Sequence, residues 1–161
     1  MKVRLPYLIG GSLISLLLGI MVTIIIPSQD PIDPTSLARP YTEQELLGRE
    51  IYKSEGCMYC HTQQVRGPEA NASMIHQPGD IGPESQPGDY YYQSPVFWGT
   101  NRQGPDLAHM ASRAGIGDNP AWQRLHLQNP RAVSPGSVMP SFDYLPPAEL
   151  DALVAYLLTL K

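Results

Sequence analysis

Cys57-Met58-Tyr59-Cys60-His61 contains both cysteines of the chain, separated by two residues and followed at once by an imidazole. This is the spacing of covalent haem attachment: two thiols capture the two vinyl groups of one porphyrin, and the adjacent histidine takes one axial position on the iron. Two intervening residues let both sulfurs reach the same porphyrin edge, and His61, next in line, swings its ring under the iron. A thioredoxin-like pair would need a βαβ pattern around it, which is missing. A tetrahedral zinc site would need a second ligand pair, yet there is no third cysteine and His76, His109 and His126 are scattered.

The chain has 161 residues, room for one ordinary domain and an anchor. Seventeen prolines and fourteen glycines against two phenylalanines indicate a loop-rich domain with a modest core. A covalent haem would supply such a core with apolar volume and cross-links. All fifteen acidic residues, but only nine of the eleven basic ones, follow the apolar N-terminal stretch, so the remainder is anionic and nucleic acid is excluded as a partner.

Residues 5–26 carry no charge, and at ~1.5 Å per residue they can cross a hydrocarbon core of ~30 Å. The run is longer than a signal peptide's apolar region and ends in Pro27-Ser28-Gln29-Asp30 rather than in a small-residue cleavage site, so residues 1–27 are expected to be a retained transmembrane anchor. Lys2 and Arg4 precede the span and Asp30 and Asp33 follow it, which places the N-terminus in the cytoplasm and the rest on the periplasmic or extracellular side. Residues 28–40, with three prolines, read as an extended linker, and residues 41–161 as the haem domain.

The domain is predicted to be mainly α. Thr42 and Glu45 form a capping box, and the helix they start runs through Leu46, Leu47 and Ile51 to Gly56, delivering Cys57 at its C-terminal end. Residues 67–105 are punctuated by Gly and Pro and predict irregular wrapping against the porphyrin or a partner. Asn119-Pro120 opens a short middle helix that Asn129-Pro130 stops. Leu150, Leu153, Val154, Leu157 and Leu158 fall on one stripe of a last helix beginning near Pro147. Gly48 and Tyr52, four apart on the first of these helices, offer a close-approach notch for that last helix beside Tyr156. Terminal helices crossing at a glycine beside an aromatic pair resemble the class I cytochrome c architecture.

The second axial ligand must come from Met74, His76, His109, Met110, His126 or Met139. Met139, in Ser137-Val138-Met139-Pro140 just before the last helix, sits on a loop that can present its thioether; filling a core gap is the alternative role. A His61/Met139 pair would raise the reduction potential and close the iron to small molecules. His109 and His126 read as surface or packing residues. Arg66, Trp98, Arg102 and Arg131 are candidate donors to the haem propionates. Gly104-Pro105-Asp106-Leu107 is similar to the Gly-Pro-x-Leu turn of class I cytochromes c, which implies that the Pro105 carbonyl receives the other N–H of His61.

A closer resemblance is carried by Gly48-Arg49-Glu50-Ile51-Tyr52, by Cys60-His61-Thr62-Gln63, by residues 98–108 (Trp-Gly-Thr-Asn-Arg-Gln-Gly-Pro-Asp-Leu-Ala), by Trp122 with His126-Leu127-Gln128-Asn129-Pro130-Arg131, and by Met139-Pro140. Together these resemble the mono-haem subunit (FixO/CcoO) family of cbb(3)-type cytochrome c oxidases over residues 38–160. The resemblance implies one covalent haem c held by Cys57 and Cys60, with His61 and Met139 as axial ligands. It also implies a non-catalytic subunit that takes electrons from another cytochrome c and passes them to a haem-copper catalytic subunit in the membrane. Two segments depart from the family: residues 141–146 are shorter than usual, and residues 67–88 lack an arginine-rich continuation. A free-standing anchored carrier and the cytochrome subunit of a nitric oxide reductase remain alternatives.

Overall fold

The computed structural model describes residues 4–66, 82–99 and 102–161, and the chain divides into two compact units, residues 1–33 and 34–161. Among the described residues every regular element is helical. In the first unit, helix α1 (Leu5–Ile20) continues through a π turn (Met21–Ile25) and a 3-10 turn (Pro27–Gln29). The 25-residue segment Leu5–Gln29 is long and apolar enough to cross a membrane, and its apolar side chains are exposed. Its one hydroxyl in the π turn is satisfied within the helix, Thr23 Oγ1 donating to the Gly19 carbonyl at 2.7 Å.

The second unit starts with residues 34–40, the distal half of the expected linker. Thr35 Oγ1 donates to Asp89 at 2.6 Å, and the Thr35 N–H to the Gly88 carbonyl at 3.3 Å. Helix α2 (Glu43–Ser54) begins with the expected capping box: Thr42 Oγ1 accepts from the Glu45 N–H at 3.3 Å, and Glu45 Oε2 accepts from the Thr42 N–H at 2.8 Å. Gly56, at φ 75°, turns the chain out of the helix and straight into the 3-10 turn Cys57–Tyr59.

Helix α3 (Pro120–Gln128) is capped by Asn119, whose side-chain oxygen accepts from the Ala121 and Trp122 N–H groups at 3.0 and 3.2 Å. The single turn α4 (Pro130–Val133) follows, and α5 (Pro147–Leu157) closes the domain. Leu150, Leu153, Val154 and Leu157 of the predicted stripe are buried; Leu158, just past the helix end, is half-buried. The core is the α2–α5 crossing. A Cβ at Gly48 would collide with the Ala152 carbonyl, so the glycine sets how closely the helices approach. Tyr52 packs edge-on against Tyr156 with ring centroids 5.5 Å apart, and Phe97 from the irregular segment seals the other side of Tyr52 at 5.4 Å. This is the class I cytochrome c arrangement expected from the sequence.

Candidate functional site

Beside that crossing lies a cavity of ≈ 420 Å³, walled by apolar side chains from α3 and α5 and from the turns between α2 and α3. It falls in the size range of small-molecule and cofactor pockets. Four of the residues singled out in the sequence, Cys57, His61, Pro105 and Met139, come from segments far apart in the chain and meet on its wall. Cys60 does not line it; its sulfur lies 3.6 Å from Gln103 Oε1. Met74 and His76 lie outside the described residues.

His61 is held from behind. Its Nδ1 lies 2.8 Å from the Pro105 carbonyl oxygen, which fixes Nδ1 as the protonated nitrogen and leaves the Nε2 lone pair for a ligand. A Cβ at Gly104 would lie 2.8 Å from His61 Nδ1 and closer still to the ring carbon beside it, so the glycine makes the cradle in which the imidazole lies flat. Burial lowers the His61 pKa, only partly opposed by the Pro105 hydrogen bond and the Asp106 carboxylate, so the ring is in its neutral, ligating form. The Cys57 thiol is pushed up to about 12 by burial. At neutral pH it is therefore a thiol. Among the described residues no cluster of three His, Cys, Asp or Glu side chains could hold a metal ion.

The haem motif and the Gly104-Pro105 turn are zipped together by backbone bonds on either side of this contact. The Gly104 N–H donates to the Cys60 carbonyl at 3.0 Å and the Leu107 N–H to the Thr62 carbonyl at 2.8 Å. An imidazole with one free nitrogen, the free Cys57 thiol and a thioether on one largely apolar cavity, with the free Cys60 thiol off its wall, fit a haem.

The four candidate propionate donors each make a protein contact. Arg66 donates to the Gly99 carbonyl at 3.1 Å, Arg131 Nε to the Ser137 carbonyl at 3.2 Å, Trp98 packs edge-on against Tyr90, and Arg102 turns inward onto Thr62 and Gln64. None of the four lines the cavity. Arg113, Trp122, Ser134 and Ser137 do. So does His126, stacked on Trp122 with centroids 4.8 Å apart and its buried Nδ1 without a hydrogen-bond partner. The sequence signal for the pair was their i, i+4 spacing on one face of the middle helix. His109, by contrast, is a packing residue as expected, buried with Gly82 against its ring.

No curated protein matches the chain. The family model described as cytochrome c oxidase, mono-haem subunit/FixO, matches residues 3–159. That match spans the apolar helix, the paired thiols, the backed imidazole and the Met139 loop, and the chain belongs to this mono-haem cytochrome c oxidase subunit family.

Proposed function

We propose that the chain is the electron-relaying subunit of a cbb(3)-type oxidase, with one haem c bound through thioethers at Cys57 and Cys60 and axially by His61 and Met139. The observation that carries this is the 2.8 Å contact of His61 Nδ1 with the Pro105 carbonyl on a cavity that Met139 also lines. Bound there, the cofactor would supply a one-electron iron couple. His61 and Met139 would hold its iron. Pro105 holds the His61 ring and its proton, and Leu107, Leu127, Leu153 and Leu157 exclude water. A closed site suits transfer of electrons and leaves oxygen reduction to the partner subunit.

The apolar helix is proposed to hold residues 1–27 in the membrane with the N-terminus cytoplasmic, residues 28–40 to link it to the haem domain at 41–161, and that domain to lie outside, between a donor cytochrome c and the haem-copper catalytic subunit. Haem staining of the denatured chain tests the covalent link, and migration with a large oxygen-consuming assembly in a mild native gel tests the partnership. Met139→Ala is expected to abolish the near-infrared band of methionine-ligated ferric iron; an unchanged band would remove Met139 from the site. A haem-stained chain that migrates alone would overturn the subunit role.

A further inference from the structure

Asp106 is 2 % exposed, and its side chain lies one residue beyond the Pro105 carbonyl that backs His61. Thr62, 0 % exposed, is the residue immediately after His61. These two neighbours of the contact are joined to each other, the Thr62 hydroxyl donating to the Asp106 carboxylate. The carboxylate also accepts from the Gln64 N–H at 3.0 Å and the Ala108 N–H at 2.8 Å. Arg102 completes the group: its Nε donates to Thr62 Oγ1 at 3.0 Å, its terminal nitrogen to the Gln64 carbonyl at 3.0 Å, and it stands 3.7 Å from Asp106 Oδ2, with only 6 % of its side chain exposed.

Both carboxylate oxygens accept, one from the Ala108 N–H and the other from the Gln64 N–H and the Thr62 hydroxyl, so the turn itself calls for two acceptors. The arrangement also sets a buried carboxylate and a buried guanidinium close in sequence to the His61–Pro105 contact, and His61 is the proposed iron ligand. In a low-dielectric interior such charges act at longer range than in water.

We infer that Asp106 and Arg102 are a pair of positioning residues that set the reduction potential of the site by opposing fields delivered alongside the His61–Pro105 contact. The inference rests on the haem reading given above. Reduction removes one positive charge from the site, so a fixed carboxylate disfavours it and a fixed guanidinium favours it. With the Arg113 guanidinium, which lines the cavity and donates to the Asp106 carbonyl at 3.0 Å, common to every variant, the pair shifts the potential in opposite senses.

The full-length chain in detergent tests this by redox titration with mediators. Asp106→Asn is expected to raise the midpoint potential and Arg102→Gln to lower it, each by about tenfold in the reduced-to-oxidised ratio at fixed poise, or 59 mV for a one-electron couple. Arg102→Lys, which keeps the charge and loses the fork, should restore the original potential. A merely structural role would loosen the same turn in both neutral variants and move both potentials in one direction. Shifts of equal sign, or none, in haem-stained protein with the methionine band intact would overturn the inference. Should Asp106→Asn fail to accumulate, Arg102→Gln against Arg102→Lys decides: a Gln variant no lower than the Lys variant refutes it. Absence of haem stain from the unmodified chain would defeat the haem reading itself, which is a separate outcome.

Discussion

At the scale of single residues, the site depends on a hydrogen atom where any other side chain would put a carbon. Gly104 faces the His61 ring, and a methyl there must displace the imidazole from the Pro105 carbonyl. Gly104→Ala is expected to weaken histidine ligation by about 10- to 100-fold, the range for lost outer-shell support of a metal ligand. Conversion of the absorption spectrum from low-spin to high-spin would show it, and an unaltered spectrum would mean that the ring can relax elsewhere. The proposal of covalent attachment at Cys57 and Cys60 comes from spacing alone, because two thiols separated by two residues before a histidine match the geometry such a cofactor needs. Met139 could be proposed because a Met-Pro loop before the last helix can present its thioether, although filling a core gap is the commoner use of methionine. Partners set by the tertiary fold were not legible. The Arg102 bonds to Thr62 and Gln64 reach across about forty residues of chain, and His126, read as a surface or packing residue, does pack on Trp122, but its place on the cavity wall was not foreseen.

At the scale of elements, α2 presents the haem motif, and its start is fixed by chemistry local to the sequence. Arg39 grips Glu45 with two hydrogen bonds of 2.6 and 3.0 Å, while the same carboxylate caps the Thr42 N–H. The Arg39 guanidinium holds the Glu45 pKa down at about 2. A carboxylate depressed in the folded state contributes stability that is present above its unfolded value, ~4.3, and is lost as the pH falls towards the folded one. Because Arg39 is half-exposed, its contribution is small and salt-sensitive. Glu45→Gln is therefore expected to be less stable than the parent at pH 6, with the gap closing between pH 4.3 and 2 in urea titrations. Thr42→Ala should cost about 1 kcal/mol at every pH in that range. The helix starts, the α5 stripe and the Gly48 notch were legible because they rest on periodicity and near neighbours. Of the stretch 67–105, read only as irregular, residues 67–81 and 100–101 lie outside the described residues; the described part includes the 3-10 turn Pro87–Tyr90 and is held by distant contacts such as the Tyr90 hydroxyl donating to the Gln63 carbonyl at 2.7 Å.

At the scale of the whole molecule, the boundary between the two compact units falls at residue 34, inside the stretch that composition alone marks as linker. Proline content reports an extended backbone but not what that backbone touches, which is why the Thr35 and Arg39 bonds were invisible beforehand. A chain beginning at Pro34 is expected to remain in the supernatant after ultracentrifugation and to unfold in a single transition. One beginning at Tyr41 loses the Thr35 and Arg39 bonds and should melt lower, by several degrees for about 1 kcal/mol in a domain of this size; equal midpoints would show that those bonds contribute nothing. The α2–α5 crossing has a further consequence, in time rather than in space. The notch at Gly48 is filled by Ala152 and Tyr156, which leave the ribosome about a hundred residues later, roughly 5 to 20 s at ~5–20 residues per second. Throughout that interval α2 has no mate, and the face bearing Gly48 and Tyr52 stays uncovered until the last helix arrives.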